Sequence, residues 1–298
     1  MSILFSHFLS NHNEISPQEY EFTEVLGTIA VMPKKLYVHG NIPQKRLKSV
    51  AIVGTRKPTS YGANVAKNLA YDLARRDVVV ISGLAFGIDS IAHRGALEAG
   101  GLTLAVLGTP IDYIYPRSHY SLAEEIVKSG GAIISELPPG AEFYGKTCFL
   151  QRNRIISGLA DAVIVIEAAE RSGSLNTAAH ALEQGKEVFA LPGDITRPTS
   201  RGCNRLIGQG AIPYLEPQDV LEVLFPPRRR AKSLQVELPL GDSEVETKIL
   251  QALARGIVQG EAILADTGLT VVEFNQTITI LEIKGRVTAL GMNQWDLK

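Results

Sequence analysis

From Ser49 onward, short segments that are apolar at nearly every position alternate with amphipathic ones. The apolar runs fall at residues 50–53, 78–81, 102–107, 132–134, 162–166 and 187–191. Between them, residues 62–75, 88–99, 122–128, 151–159 and 175–184 show helical periodicity. A strand with no polar face is buried on both sides, so helices must cover both faces of a mostly parallel sheet. The pattern predicts a doubly wound α/β domain over residues 35–225.

Loop lengths locate the working edge of that sheet. The expected helix-to-strand turns, such as Arg76-Asp77 and Gly100-Gly101, are short. The strand-to-helix loops are longer and carry Arg56, Lys57, Arg117, Lys146, Arg171, Arg197 and Arg201. Ligands of open α/β sheets bind at the carboxyl ends of the strands. The net charge of −1 provides no global field for a polyanion, so a nucleic-acid site must be a local basic patch. These loops supply one.

Hydrophobic content of 45% and charged content of 20% describe an ordinary soluble protein. Cys148 and Cys203 form no C-x-x-C pair, which points to a reducing, cytoplasmic setting. Met1 to Ser10 lacks the basic start and small-residue cleavage site of a signal peptide, and no apolar run approaches a membrane span of about 20 residues.

The segment from Lys146 to Gly158 is the densest in candidate binding groups. Phe149, Arg152 and Asn153 share a helical face, Arg154 follows, and Lys146 is expected in the loop just before. A ring flanked by guanidinium groups and an ammonium suits single-stranded nucleic acid. The alternative is a helix with a core Phe and a solvated charged face.

Three further motifs end strands and open helices. Gly54-Thr55-Arg56 offers a tight turn, helix-start amides and a forked cation for a phosphate, or plain turn chemistry. Ser82 to Asp89 is a second glycine-bearing loop, in which Gly83 allows close backbone approach. Asp89 and His93, four apart, are expected to pair structurally, because a metal needs a third ligand and none is evident. Ser172-Gly173-Ser174 opens a helix either as phosphate ligands or as an ordinary cap. There is no G-x-G-x-x-G, so a dinucleotide is not indicated. Glu167, Asp112, Glu136 and Asp194 are scattered and form no catalytic set, so neither cofactor nor metal is expected.

The flanks are simpler. Residues 1–34 read as a short extension and residues 226–241, with Pro226-Pro227 and Arg228 to Arg230, as a basic linker. Residues 242–298 show three helical segments and a hairpin about Gly291, a winged-helix pattern. The third helix carries no basic group, which favours protein contact over duplex reading.

Taken in order, Gly54-Thr55-Arg56, Ser82-Gly83-Leu84-Ala85-x-Gly87-Ile88-Asp89-x-x-Ala92-His93, Lys146-x-x-Phe149-x-x-Arg152-Asn153-Arg154, Ser172-Gly173-Ser174 and Pro192-Gly193 closely resemble the DNA-processing protein A family (DprA, also called Smf). The resemblance covers roughly residues 36–224. It implies a Rossmann-like domain that binds single-stranded DNA, acts as a homodimer and loads RecA onto DNA taken up in natural transformation. It places phosphate binding on Gly54, Thr55 and Arg56, and base stacking on Phe149 beside Lys146. The chain departs from the family at Leu150, where proline is common, and in having too short a start for the helical domain many members carry. A rival reading is a nucleoside-phosphate hydrolase of the lysine-decarboxylase-like group. That group is expected to show Pro-Gly-Gly-x-Gly-Thr, whereas this chain has Pro192-Gly193-Asp194.

Overall fold

The structure is a computed structural model that describes residues 12–226 and 241–297. The chain divides into two compact units, Met1–Pro226 and Pro227–Lys298. The basic linker segment and the Met1 to Ser10 reading fall almost wholly outside the described residues.

The first unit is built on a nine-stranded sheet. Its strands are β1 (Asn13–Ile15), β2 (Leu36–Gly40), β3 (Ser49–Gly54), β4 (Val79–Ser82), β5 (Thr103–Leu107), β6 (Ala132–Ser135), β7 (Ala162–Ile166), β8 (Glu187–Ala190) and β9 (Ile212–Pro213). The spatial order is β1-β2-β6-β5-β4-β3-β7-β8-β9. All pairings from β6 through β9 are parallel, and β1 and β2 add an antiparallel edge. The mostly parallel doubly wound sheet expected from the apolar runs is therefore present. The short extension read over residues 1–34 contributes β1, which pairs Asn13 with Val38 and Ile15 with Leu36.

One helix follows each of the strands β3 to β9: α1 (Ser60–Ala74), α2 (Ile88–Glu98), α3 (Tyr120–Lys128), α4 (Gly145–Leu159), α5 (Gly173–Glu183), α6 (Arg201–Gly208) and α7 (Pro217–Leu224). Strand alternation sends side chains to opposite cores. Ala51, Val53, Val163 and Val165 pack with Ile155, Ile156 and Leu159 of α4 and Ala178 of α5. Val50, Ile52, Ile164 and Ile166 pack with Leu69 and Leu73 of α1 and Ile88 of α2. Each central strand thus spends all its side chains on burial, which is why the sequence shows no polar alternation there. Burial at about 25 cal/mol per Å² of apolar surface makes these two cores the main stabilising contribution.

The order of strands reverses between β3 and β7. Their carboxyl ends therefore face a crevice left between oppositely running connections, the usual ligand position of doubly wound sheets.

The second unit contains α8 (Glu244–Ala254), α9 (Gly260–Thr267), α10 (Val271–Ile283) and a hairpin of β10 (Val287–Gly291) and β11 (Gln294–Leu297). Ser243 caps α8 and Thr270 closes a capping box with Glu273 on α10. Ile249, Leu253, Phe274, Ile278 and Leu281 form its core, with Trp295 edge-on to Phe274. Three helices and a two-stranded wing bear out the winged-helix expectation.

Candidate nucleic-acid interface

A cleft of about 680 Å³ opens at the β3/β7 reversal. The loops after β3, β4, β5 and β7 and the start of α4 line it. The loop after β3 contributes Gly54, Thr55 and Arg56, the loop after β7 contributes Arg171 to Ser174, and α4 contributes Lys146, Phe149, Arg152 and Asn153.

Tight packing holds the first loop. A Cβ on Gly54 would lie 1.9 Å from the Ile166 carbonyl oxygen, so only glycine lets β3 end this close to β7. The Thr55 amide donates to the Glu167 carbonyl at 2.7 Å. Glu167 itself is buried, and its carboxylate accepts from the Thr59 amide at 2.8 Å and from the Thr59 hydroxyl. It anchors the start of α1 to the end of β7. Its carboxylate is committed to that cap, which leaves Arg56 exposed on the loop it braces.

Helix α4 starts at Gly145, six residues before the amphipathic segment predicted it. Lys146 is therefore in its first turn and not in a preceding loop. Leu150 keeps its backbone donor, so the helix runs through the position where the family often has proline. Acidic side chains normally occupy a first turn, because the helix dipole is positive there. Helix α4 has none, and carries an exposed lysine instead.

Phe149 is half-buried. It packs closely against the Gly108 backbone, and its centroid lies 5.6 Å from that of Tyr115 with the planes at 40°. The Arg152 guanidinium carbon is 5.9 Å from the Phe149 centroid.

The remaining members of the segment have protein partners. Arg152 is buried and donates through Nη1 to the carbonyls of Gly83, at 3.0 Å, and Val106. Burial lowers its pKa to about 10, against the favourable charge of Asp89. The Asp89 carboxylate accepts from the Gly83 amide at 3.0 Å and the Ala85 amide at 3.4 Å, and burial raises its pKa. A Cβ on Gly83 would fall within 2.7 Å of both Arg152 and Asp89, so this glycine makes room for the buried pair and does not line the cleft. Asn153 is buried, and its Nδ2 donates to the Gly173 carbonyl at 3.2 Å and to Asn176 Oδ1 at 3.1 Å, which fixes α5 against α4. Arg154 is turned away to an ion pair with Glu136 at 2.7 Å and lies outside the cleft lining.

Asp89 and His93 do not pair, contrary to their spacing. His93 Nδ1 lies 2.7 Å from Thr103 Oγ1, whose own proton goes to the Val80 carbonyl at 2.8 Å. Their shared helix face is buried, and different elements meet its two ends. Ser172 accepts from the Ser174 amide at 3.3 Å, an N-cap geometry, while Ser172, Gly173 and Ser174 all line the cleft. Of the basic loop residues, Arg56, Lys146 and Arg171 reach the cleft. Arg117 lies over the Tyr113 ring and Arg197 is near Asp194 at 4.0 Å. Tyr115 and Gly108 escaped the sequence reading. Their one local signal is an aromatic-rich loop, Tyr113 to Tyr115, in the longest strand-to-helix connection.

A doubly wound domain with its crevice at the sheet's reversal point, followed by a winged helix, defines a class of Rossmann-like proteins with an appended winged-helix unit. Within it, the sequence profile of DNA recombination-mediator protein A matches residues 13–225, and that of the DprA winged helix domain matches residues 235–291. The chain belongs to the DNA recombination-mediator protein A family. It is 45% identical to Protein Smf of Escherichia coli (strain K12) over 216 residues, which is 72% of this chain and 57% of Smf. The chain thus spans less than two thirds of that relative's length. The crystal structure of DNA processing protein A from Streptococcus pneumoniae superposes with a TM-score of 0.65 at 39% identity, covering 72% of this chain and 75% of the other. DNA processing protein A from Helicobacter pylori, studied for its single-stranded DNA binding mode, gives 0.64 at 31% identity, covering 74% and 98%.

Proposed function

We propose that the chain is a non-enzymatic single-stranded DNA binder of the cytoplasm, acting as a homodimer that loads RecA onto incoming DNA in natural transformation. The observation that carries this reading is the cleft itself. Arg56, Lys146 and Arg171 are exposed there without an ion pair among the described residues, beside the half-exposed Phe149 ring. Cations follow the phosphates and the ring takes a base, a combination that tolerates any sequence. Gly54, Thr55 and the Ser172-Gly173-Ser174 turn supply small residues against which a backbone phosphate can lie. Arg152 and Asn153 position this surface from beneath.

The single-strand binding of the Helicobacter pylori relative supports the same assignment. We assign the winged unit to protein contact, because α10 carries no basic group in Val271–Ile283.

The test is a titration with oligo-dT and with duplex of equal length at matched salt, alongside an assay for nucleotide hydrolysis and one for RecA filament formation. Single strands should bind more tightly, with affinity falling as salt rises. Filament formation should accelerate, and nucleotides should remain intact. Tighter binding to duplex would overturn the assignment.

A further inference from the structure

The Tyr115 ring is large, 44% exposed, and lines the same cleft as Phe149. It adjoins the Phe149 ring, and its hydroxyl makes no hydrogen bond among the described residues. Resting on the single-strand reading above, we propose that Tyr115 is a second base-stacking residue, so that the cleft seats two successive nucleobases.

The geometry distinguishes two seats from one. A base held between two rings needs parallel planes about 7 Å apart, twice the rise of about 3.4 Å between stacked bases. Here the centroids are 5.6 Å apart and the planes are inclined by 40°. That is too close and too tilted for a sandwich. The two rings instead form adjoining facets of one ledge, each able to take its own base. Phe149 is fixed by the Gly108 backbone on one side and by the Arg152 guanidinium near its ring. Tyr115 extends the ledge from the loop after β5, beside the Phe149 ring.

Because the proposed contact uses the π-face and not the hydroxyl, the seat is sequence-tolerant. It also predicts which replacements are silent. Tyr115→Phe and Tyr115→Trp keep a stacking face, whereas Tyr115→Leu keeps apolar contact with Phe149 and removes it.

The test compares these variants on oligo-dT and on an abasic oligomer of equal length, which retains the phosphates but has no bases. Tyr115→Leu should bind oligo-dT about tenfold more weakly than wild type, with an unchanged melting temperature. Tyr115→Phe and Tyr115→Trp should bind it like wild type. On the abasic oligomer, wild type and Tyr115→Leu should bind alike. If Tyr115→Leu does not fold, Tyr115→Met provides the same comparison. Undiminished binding of oligo-dT by Tyr115→Leu, with Phe149→Leu impaired, would overturn this inference alone. So would equal losses on both ligands, because Tyr115 would then support the phosphate grips and not a base. A wild-type chain that binds neither ligand would overturn the single-strand reading together with it.

Discussion

A Cβ on Gly108 would come within 2.5 Å of Phe149 Cδ1 and 3.0 Å of its Cα. The end of β5 and the first turns of α4 are therefore in contact through a position that has no side chain. Gly108→Ala should displace the ring or the helix. Overpacking of this kind costs about 1–3 kcal/mol of stability. Single-strand affinity of the folded protein should fall as well, because the displaced ring lines the cleft. Urea unfolding and an oligo-dT titration on the same preparation check both expectations.

Arg56 stands exposed on a loop that Glu167 braces from below. Arg56→Ala should lose a charge-assisted contact of about 1.5–3 kcal/mol with single strands. Arg56→Lys should recover only part, since an ammonium cannot fork onto a phosphate. The melting temperature should not move, because the exposed side chain makes no hydrogen bond or ion pair among the described residues. Wild-type affinity in Arg56→Ala would remove this residue from the interface.

The extent to which this site was legible in the sequence differs from residue to residue. Val50 to Val53 has no polar face, and that alone required layers on both sides of β3. The spacing of Phe149, Arg152 and Asn153 correctly put them on one face of α4. It could not show that Arg152 would reach the carbonyls of Gly83 and Val106, because those partners are far away in sequence. Arg152 and Arg154 look equivalent in the chain, yet one is buried under the cleft and the other is paired with Glu136. Asp89 and His93 show the same limit. Helical spacing places two side chains on a face but does not say what the face is pressed against. The lysine in the first turn of α4 was hidden differently. Lys146 reads as part of the loop before that helical face, and the helix nonetheless begins at Gly145.

His93 supplies a pH-dependent test of the fold. It is fully buried, and burial, with smaller effects from the charges of His119 and Arg152, lowers its pKa to about 3. In the unfolded chain the value is about 6.5. Between these values the unfolded state binds a proton that the folded state refuses. The associated stability is present above about pH 6.5 and is lost as the pH falls toward 3, by about 1.4 kcal/mol per unit. From pH 6.5 to pH 5, wild type should lose about 2 kcal/mol from this group. His93→Gln should start less stable but show a shallower decline over the same range. Parallel slopes in urea unfolding would contradict the assignment of a neutral buried imidazole.

The central claim is that Phe149 presents its ring to a base at the switch-point cleft. The most direct measurement is single-strand affinity of Phe149→Ala, paired with its unfolding free energy. A half-exposed stacking ring predicts a loss of about 1–3 kcal/mol in binding, with a smaller change in stability. A core ring would instead cost about 3–5 kcal/mol of stability while the folded fraction bound oligo-dT with wild-type affinity. The first result is the one this structure predicts; the second would contradict it and leave the cleft as a phosphate site alone.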